Sequence, residues 1–460
     1  VVELLQRVAR RAGNVVNPVW WTRKIGWWED RRRAEATLSL LRRAAKGQEV
    51  DMAGWQAHGL EAVLRQAYAH CRYYRELFDR VGFDVSKLDG FDRLPLLEKE
   101  TVRTRLADLT SDNLSTANYH VMHTGGSTGE PLEFPRSHLA LCMDAAHYRY
   151  TYEMMGFRPG DAIAAFGGPK VSEELTKQNI YWIDERGSSQ RPYGDVFYSS
   201  LYWKEETKQH YVDHLLLLRP AILRGYPSFI NSIAEHVMEH GIDVGSQVKG
   251  VQLTAEVACD WQIDNIRKAF GAPVFLQYGH SEMAVFAYTV DDRLVYECSP
   301  FFGLTEVLDD GGAPVSPGEV GHVVVTGFHN PVLPFIRYKT GDMARLDSME
   351  DGIVRLSEIA GRTQDFIYTR GGQKLRLSIN SHQHGDVFRN IVKWQVVQKV
   401  PGYVTLRIVR GAGFGDEDVE TIRAAFASLF DVDAGFEFLD SIPLTGRGKF
   451  KFLVQEIAES

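Results

Sequence analysis

The feature that most constrains this chain is a glycine-rich connection with a strand candidate on either side. Three glycines and three hydroxyl-bearing side chains fill six positions: Thr124, Gly125, Gly126, Ser127, Thr128 and Gly129. Glycine lets a backbone curl closely around a bulky anion, and the amides and hydroxyls it exposes then donate hydrogen bonds. No Gly-Lys-Ser/Thr closes the run, so it is not a Walker loop. Residues 119–123 lead in and 132–134 lead out, which predicts a loop between two strands rather than between a strand and a helix. Taken alone, such a run is also an ordinary surface turn.

Around this loop the texture is that of an α/β protein. Residues 1–95 read as helical, with Leu60, Val63, Leu64, Ala67 and Tyr68 on one helix face. A helix is predicted over 138–155, another over 261–270 ended by Gly271-Ala272-Pro273, then strands over 274–278 and 322–326. Beyond Gly361 a smaller unit is expected: Val404, Leu406 and Ile408 alternate as on a strand, Val419, Ile422, Phe426 and Leu429 mark a helix, and Phe436 and Phe438 a further strand.

Bulk properties narrow the function classes. In 460 residues, 44 % hydrophobic content supplies ample core, and a net charge of −8 argues against a nucleic-acid binder that relies on bulk electrostatics. Cys71, Cys142, Cys259 and Cys298 are scattered with no CxxC pair, which suits a reducing compartment. No apolar run reaches the roughly 18 residues of a membrane span, so no integral membrane contact is expected. The first residues carry charges too early for a signal peptide; the expected location is cytoplasmic. Trp20, Trp21, Trp27 and Trp28 beside Arg31, Arg32 and Arg33 are read as packing of a helical layer rather than a membrane element.

Four more segments follow the loop in order: 278–282 (Tyr-Gly-His-Ser-Glu), 337–342 (Arg-Tyr-Lys-Thr-Gly-Asp), 361–367 (Gly-Arg-Thr-Gln-Asp-Phe-Ile) and 446–450 (Gly-Arg-Gly-Lys-Phe). Each alone has a plain explanation as a turn or a solvated loop. Together and in this order they resemble the adenylate-forming enzyme superfamily (acyl- and aryl-CoA ligases, adenylation domains, luciferases). The nearer likeness is to the phenylacetate–CoA ligase family and its capsule-biosynthesis branch. Stretches 271–282 and 326–342 carry most of it, 73–78 adds to it, and it runs from about residue 60 to the end.

The resemblance implies an α/β fold with a large multi-layer domain over 1–363, its helical layer over 1–95, and a small mobile α+β lid over 364–460. It implies that Thr124 to Gly129 wrap the β- and γ-phosphates of ATP, with Thr128 and Glu282 at Mg²⁺, a hard cation suited to oxygen donors. Tyr278 would stack on adenine, Glu256 would also face the nucleotide, and Asp342 and Arg362 would bind ribose hydroxyls. Ser281 would touch the α-phosphate or the substrate carboxylate, and Lys449 would reach the oxygens around the α-phosphorus. Phe166, Gly167, Tyr226, His280 and Ala284 would line the acid's pocket, whose aromatic content suits an aryl or medium-sized apolar acid.

The implied reaction is ATP-dependent formation of an acyl-AMP with release of pyrophosphate, then transfer to coenzyme A. Transfer to an amine or hydroxyl acceptor and a nucleotide-binding sensor without turnover are the alternatives; a homodimer is left open. The attacking carboxylate is already ionised, so positioning and charge neutralisation are what such a site must supply. The chain departs from the family pattern at Glu130, where lysine is common, and at Gln364, where the hinge residue is usually charged. Residues 368–372 lack the usual lysine, and Lys451 competes with Lys449 for the catalytic role. Some relatives hold a structural zinc in the stretch of Cys259 and Cys298. Those two thiols with His280 fall short of four ligands and are read as small apolar residues.

Overall fold

The computed structural model describes residues 18–457 apart from 114–117, 124–132, 187–194, 292, 363–365, 377–386, 388–389, 412, 446–447 and 449. The chain forms two compact units, one from residues 1–154 and 277–359, the other from 155–276 and 360–460.

In the first unit, the helix Met52–His70 begins at Asp51, whose side chain accepts from the Gly54 amide at 2.8 Å. A first-turn donor is thereby satisfied. Val63, Leu64 and Ala67 are buried on its inner face, as the periodicity predicts. They share a core with Leu77 and Phe78 of the helix Arg72–Val81 and with Val323, Val325 and Leu356 of the sheet. Helix Pro18–Ala45 packs against His138–Met154. There Trp27 stacks on His138 at 5.8 Å and the Arg31 guanidinium sits 3.8 Å over the Trp27 ring. Trp27 thus packs as expected, whereas Trp28 is 62 % exposed.

The strands of this unit run in the order Gly303–Leu308, Val320–Gly327, Tyr338–Glu350, Ile353–Arg362, Tyr296–Cys298, Phe286–Thr289 and Val274–Gly279. The chain passes from the second unit to the first within the last of these. Arg337 anchors the helical layer to the sheet. It is almost fully buried, pairs with Glu306 at 2.9 Å and donates to the Leu94 carbonyl at 2.6 Å and to that of Asp92. The strands Tyr119–His123 and Glu133–Ser137 pair antiparallel with His123 opposite Glu133. The glycine run therefore connects two strands, as its flanks predict.

The second unit has a parallel set, Asp195–Ser199, Ile163–Gly167, Ile222–Gly225 and Gly250–Thr254, with Trp182–Asp184 antiparallel at the edge. Helices Lys208–Leu218 and Pro227–Glu239 link successive strands, the crossover that parallel pairing needs. Helix Asp260–Phe270 ends at Gly271 with φ +60°, where the sequence places its stop.

A four-stranded sheet, Asp433–Phe438, Tyr403–Arg410, Ile391–Val400 and Leu453–Gln455, completes the unit with the helix Asp416–Phe430. Val404, Leu406 and Ile408 are buried with Ile422 and Phe426. Leu429, expected on that face, is 44 % exposed, because Phe430, four residues beyond Phe426, takes the inward position instead. Among the described residues no helix is long and apolar enough to cross a membrane.

Candidate active site

The strand Val274–Gly279 delivers the segment 278–282 at its carboxyl end, and two tyrosines fix two carboxylates there. The Tyr278 hydroxyl donates to Asp342 Oδ2 at 2.9 Å, and the Tyr338 hydroxyl donates to Glu282 Oε1 at 3.0 Å. Asp342 is set by its own turn, since its amide donates to Thr340 Oγ1 at 3.0 Å and the Thr340 hydroxyl donates to the Val323 carbonyl at 2.9 Å. Tyr278, Tyr338 and Thr340, which hold the two carboxylates, belong to the first unit.

Glu282 is only 7 % exposed. Burial alone would raise its carboxyl, but His280, the local backbone and the Tyr338 hydroxyl outweigh it and hold the group down to about 2. His280 Nδ1 lies 3.1 Å from Glu282 Oε2. That contact has ion-pair distance without hydrogen-bond alignment, so both ring nitrogens of His280 are buried with no hydrogen-bond partner among the described residues. A buried imidazole in this state is equipped to bind an oxygen of a substrate. An ionised, oxygen-only group such as Glu282 fits a hard divalent cation.

Arg136 was not singled out by the sequence. It follows the glycine run on the strand Glu133–Ser137, is buried, and donates through Nη1 to the Ser281 carbonyl at 3.1 Å. Burial pulls its guanidinium down, while Asp144 and Glu282 hold it up. The signal available was its place five residues after Pro131 in a strand that returns from the loop. Tyr338 was also unassigned, although it lies within the stretch that carries the family likeness.

The expected residues divide between the units. Tyr278, His280, Ser281, Glu282, Ala284 and Asp342 stand in the first; Phe166, Gly167, Tyr226, Glu256 and Arg362 stand in the second. Ala284 is 1 % exposed, and a Cβ added at Gly327 would come within 2.8 Å of it, so its surroundings are packed backbone. Phe166 is likewise buried, stacked on Tyr198 at 5.1 Å and edge-on to Phe229 at 5.5 Å. The Tyr226 ring lies 3.8 Å from where a Gly167 Cβ would stand. Arg362 ends the strand Ile353–Arg362. Its side chain, the run Thr124 to Gly129, Gln364 and Lys449 lie outside the described residues.

The neighbours of Lys449 are held within the second unit. The Ser200 hydroxyl donates to the Gly448 carbonyl at 2.8 Å, and the Phe450 amide donates to Glu256 Oε1 at 2.9 Å. The other oxygen of Glu256 accepts from the Ser228 amide at 3.2 Å, in the first turn of the helix Pro227–Glu239. Gly448 has φ +70°, and a Cβ there would collide with Ser200 Oγ and reach 2.9 Å from Gly168 Cα, so glycine is required twice over. Lys393 Nζ stands 4.5 Å over the Phe450 ring. Cys298 and Cys259 are neutral thiols pushed up by burial, to about 12 and about 11, as small apolar residues should be.

No family model matches the chain. Protein CapK of Staphylococcus aureus is 24 % identical over 396 residues, which cover 84 % of this chain and 85 % of that protein. The phenylacetate-coenzyme A ligase of Thermus thermophilus is 25 % identical over 352 residues, covering 69 % and 71 %. Among solved structures, 2-hydroxyisobutyryl-CoA ligase in the postadenylation state, in complex with R3-HIB-AMP, aligns with a TM-score of 0.68. That alignment covers 87 % of this chain and 88 % of that one at 21 % identity, a likeness of fold.

Proposed function

We propose that this chain, an adenylate-forming enzyme of the phenylacetate–CoA ligase-like kind, activates an aryl or medium-sized apolar carboxylic acid. The acid's carboxylate attacks the α-phosphorus of ATP, a new C(O)–O–P bond forms, and pyrophosphate leaves. The thiol of coenzyme A then takes the acyl group and AMP is released. The observation that carries this reading is the buried, ionised Glu282 together with Asp342, each carboxylate held by a tyrosine hydroxyl.

The roles follow from charge. Two anions repel, so the site must neutralise the phosphates without neutralising the nucleophile. Glu282, kept ionised, would hold Mg²⁺ with Thr128, and the ion would supply positive charge against the phosphate oxygens. His280 offers an imidazole to the acid's carboxylate, and Arg136 supplies a fixed buried cation beside the Ser281 carbonyl. Asp342 is the acceptor for the ribose hydroxyls, with Arg362 beside it in role, and the glycine run holds the leaving pyrophosphate. Lys449 brings the mobile cation to the α-phosphorus, carried by a lid over 364–460 whose hinge is Gln364. The resemblance assigns Phe166, Gly167 and Tyr226 of the second unit to the wall of the acid's pocket. What supports an apolar acid is the aromatic character of that wall.

The test is AMP release with ATP and Mg²⁺ across a panel of carboxylic acids, with and without coenzyme A, following free thiol in parallel. The reading predicts acid-dependent AMP release with equal loss of thiol, strongest for aryl and medium-sized apolar acids. AMP release without thiol loss replaces coenzyme A by an amine or hydroxyl acceptor. ATP binding with no AMP release for any acid overturns the enzymatic reading of the site.

A further inference from the structure

The helix Pro227–Glu239 carries, at the end opposite Ser228 and Glu256, a group that the adenylation chemistry does not use. His236, Glu239 and His240 each offer one donor atom, and these atoms all lie within 4.8 Å of one another. The spacing i, i+3, i+4 puts the three side chains on one face of the last turn. The turn is kept regular by the His240 amide, which donates to the His236 carbonyl at 3.2 Å.

His236 is 6 % exposed, and neither of its ring nitrogens has a hydrogen-bond partner among the described residues. A buried polar group left in that state requires an explanation. The Trp203 ring, 5.9 Å away and edge-on, covers part of the imidazole, and the His240 ring lies 4.3 Å away centroid to centroid. His240 Nδ1 sits 2.9 Å from the His236 carbonyl oxygen. Donating that proton fixes the tautomer with Nε2 bare, the arrangement that a metal-ligating histidine ordinarily shows. Glu239 is exposed and free to swing.

We propose that His236, Glu239 and His240 bind a divalent transition-metal ion of the zinc class, outside the adenylation site. Two imidazoles and one carboxylate select against Mg²⁺ and Ca²⁺, which demand all-oxygen shells, and in favour of zinc, cobalt, nickel or copper. Zinc–ligand distances of about 2.0–2.2 Å call for rotation of the exposed Glu239 and His240 towards the buried His236. Water completes the shell, and the nearby carboxylate of Glu205, which pairs with Lys208 at 2.6 Å, offsets that lysine's charge. The ion ties together the last turn of the helix whose first turn is capped by Glu256, so binding stabilises the second unit by mass action.

The experiment uses untagged full-length protein stripped of metal. Zinc chloride is titrated calorimetrically into the wild type, His240→Ala and Glu239→Gln, cobalt(II) is followed by its visible spectrum, and melting is recorded with and without zinc. Because His236 belongs to the packed interior, the exposed His240 carries the test. The proposal predicts one zinc per chain, a visible cobalt band, and a zinc-dependent rise in melting temperature. It predicts affinity weakened by more than about tenfold in His240→Ala, with the thermal rise lost. Equal zinc affinity in wild type and His240→Ala, or no zinc heat and no cobalt band in the wild type, overturns it. None of these readouts depends on acid adenylation.

Discussion

In the first unit the candidate site is fixed by side chains, whereas in the second the chain around residue 449 is fixed by its backbone. Glu282 and Asp342 sit among buried tyrosines, and their partners come from the same sheet. Gly448 and Phe450 are instead gripped by one hydroxyl and one carboxylate, Ser200 and Glu256. Undoing the first arrangement leaves the buried Glu282 carboxylate without its hydroxyl donor, which costs several kcal/mol. Undoing the second exchanges two hydrogen bonds with water, at about 0.5–1.5 kcal/mol for a neutral one and about 1.5–3 kcal/mol for one to a charged group. The first region is the more costly to disturb; the second is the looser hold that the proposed delivery of a cation for one half-reaction would call for.

The strongest way to break this comparison is Lys449→Ala. Loss of a preorganised cation lowers the rate of adenylate formation by about 10²–10³ with ATP binding kept. Single-turnover AMP-ester formation measures it. Near wild-type adenylation in that variant means either that Lys451 holds the role or that the assignment is wrong.

Acid tests the first unit next. His147 is fully buried, with Nδ1 against the Met143 carbonyl and Nε2 against Ser299 Oγ, and burial lowers it from the usual 6.5 to about 3. His329 is lowered in the same way to about 4. In the unfolded chain both bind a proton below 6.5, whereas in the fold they do not. Their contribution is therefore complete above pH 6.5 and is lost as pH falls towards 4 and 3, at about 1.4 kcal/mol per pH unit for each. Protection factors of residues 139–154 against hydrogen exchange, taken relative to the intrinsic rate at each pH, should fall steeply below pH 6.5, and His147→Gln should flatten that dependence. Protection factors that stay constant between pH 6.5 and 5 would contradict the burial argument.

Smaller effects sharpen the second half of the comparison. Glu256→Gln weakens the charge-assisted bond to the Phe450 amide and should slow adenylate formation about tenfold, with little change in acyl transfer from preformed adenylate. Ser200→Ala removes one neutral bond and should slow the same step only about threefold to tenfold. Equal slowing of both half-reactions would mean that the two residues merely support the fold.

The asymmetry also explains what was legible in the sequence. The helix Met52–His70, the strand Val274–Gly279 and the stop at Gly271 follow from periodicity and breakers, which act over a few residues. Tyr278 with Glu282, and Tyr338 with Asp342, each lie within one short stretch of chain and so read as motifs. Ser200 and Glu256 were not linked to residue 449, because 248 and 194 residues separate the partners of those bonds. Arg337 shows the converse: it sits in a motif that reads as functional, yet its guanidinium is spent on Glu306, Asp92 and Leu94. The cluster at His236 has no signature in the sequence, because two histidines four residues apart are unremarkable until burial leaves the ring nitrogens of one with no hydrogen-bond partner among the described residues.

The central claim is that Glu282, held ionised at the end of Val274–Gly279, serves acid-dependent attack on ATP. Exchange of labelled pyrophosphate into ATP, measured with and without an aryl acid in wild type and Glu282→Gln, tests it directly. The account predicts exchange that requires the acid and falls by about 10²–10³ in the variant. Exchange of equal rate in the two proteins, in a variant whose melting temperature is unchanged, would contradict it.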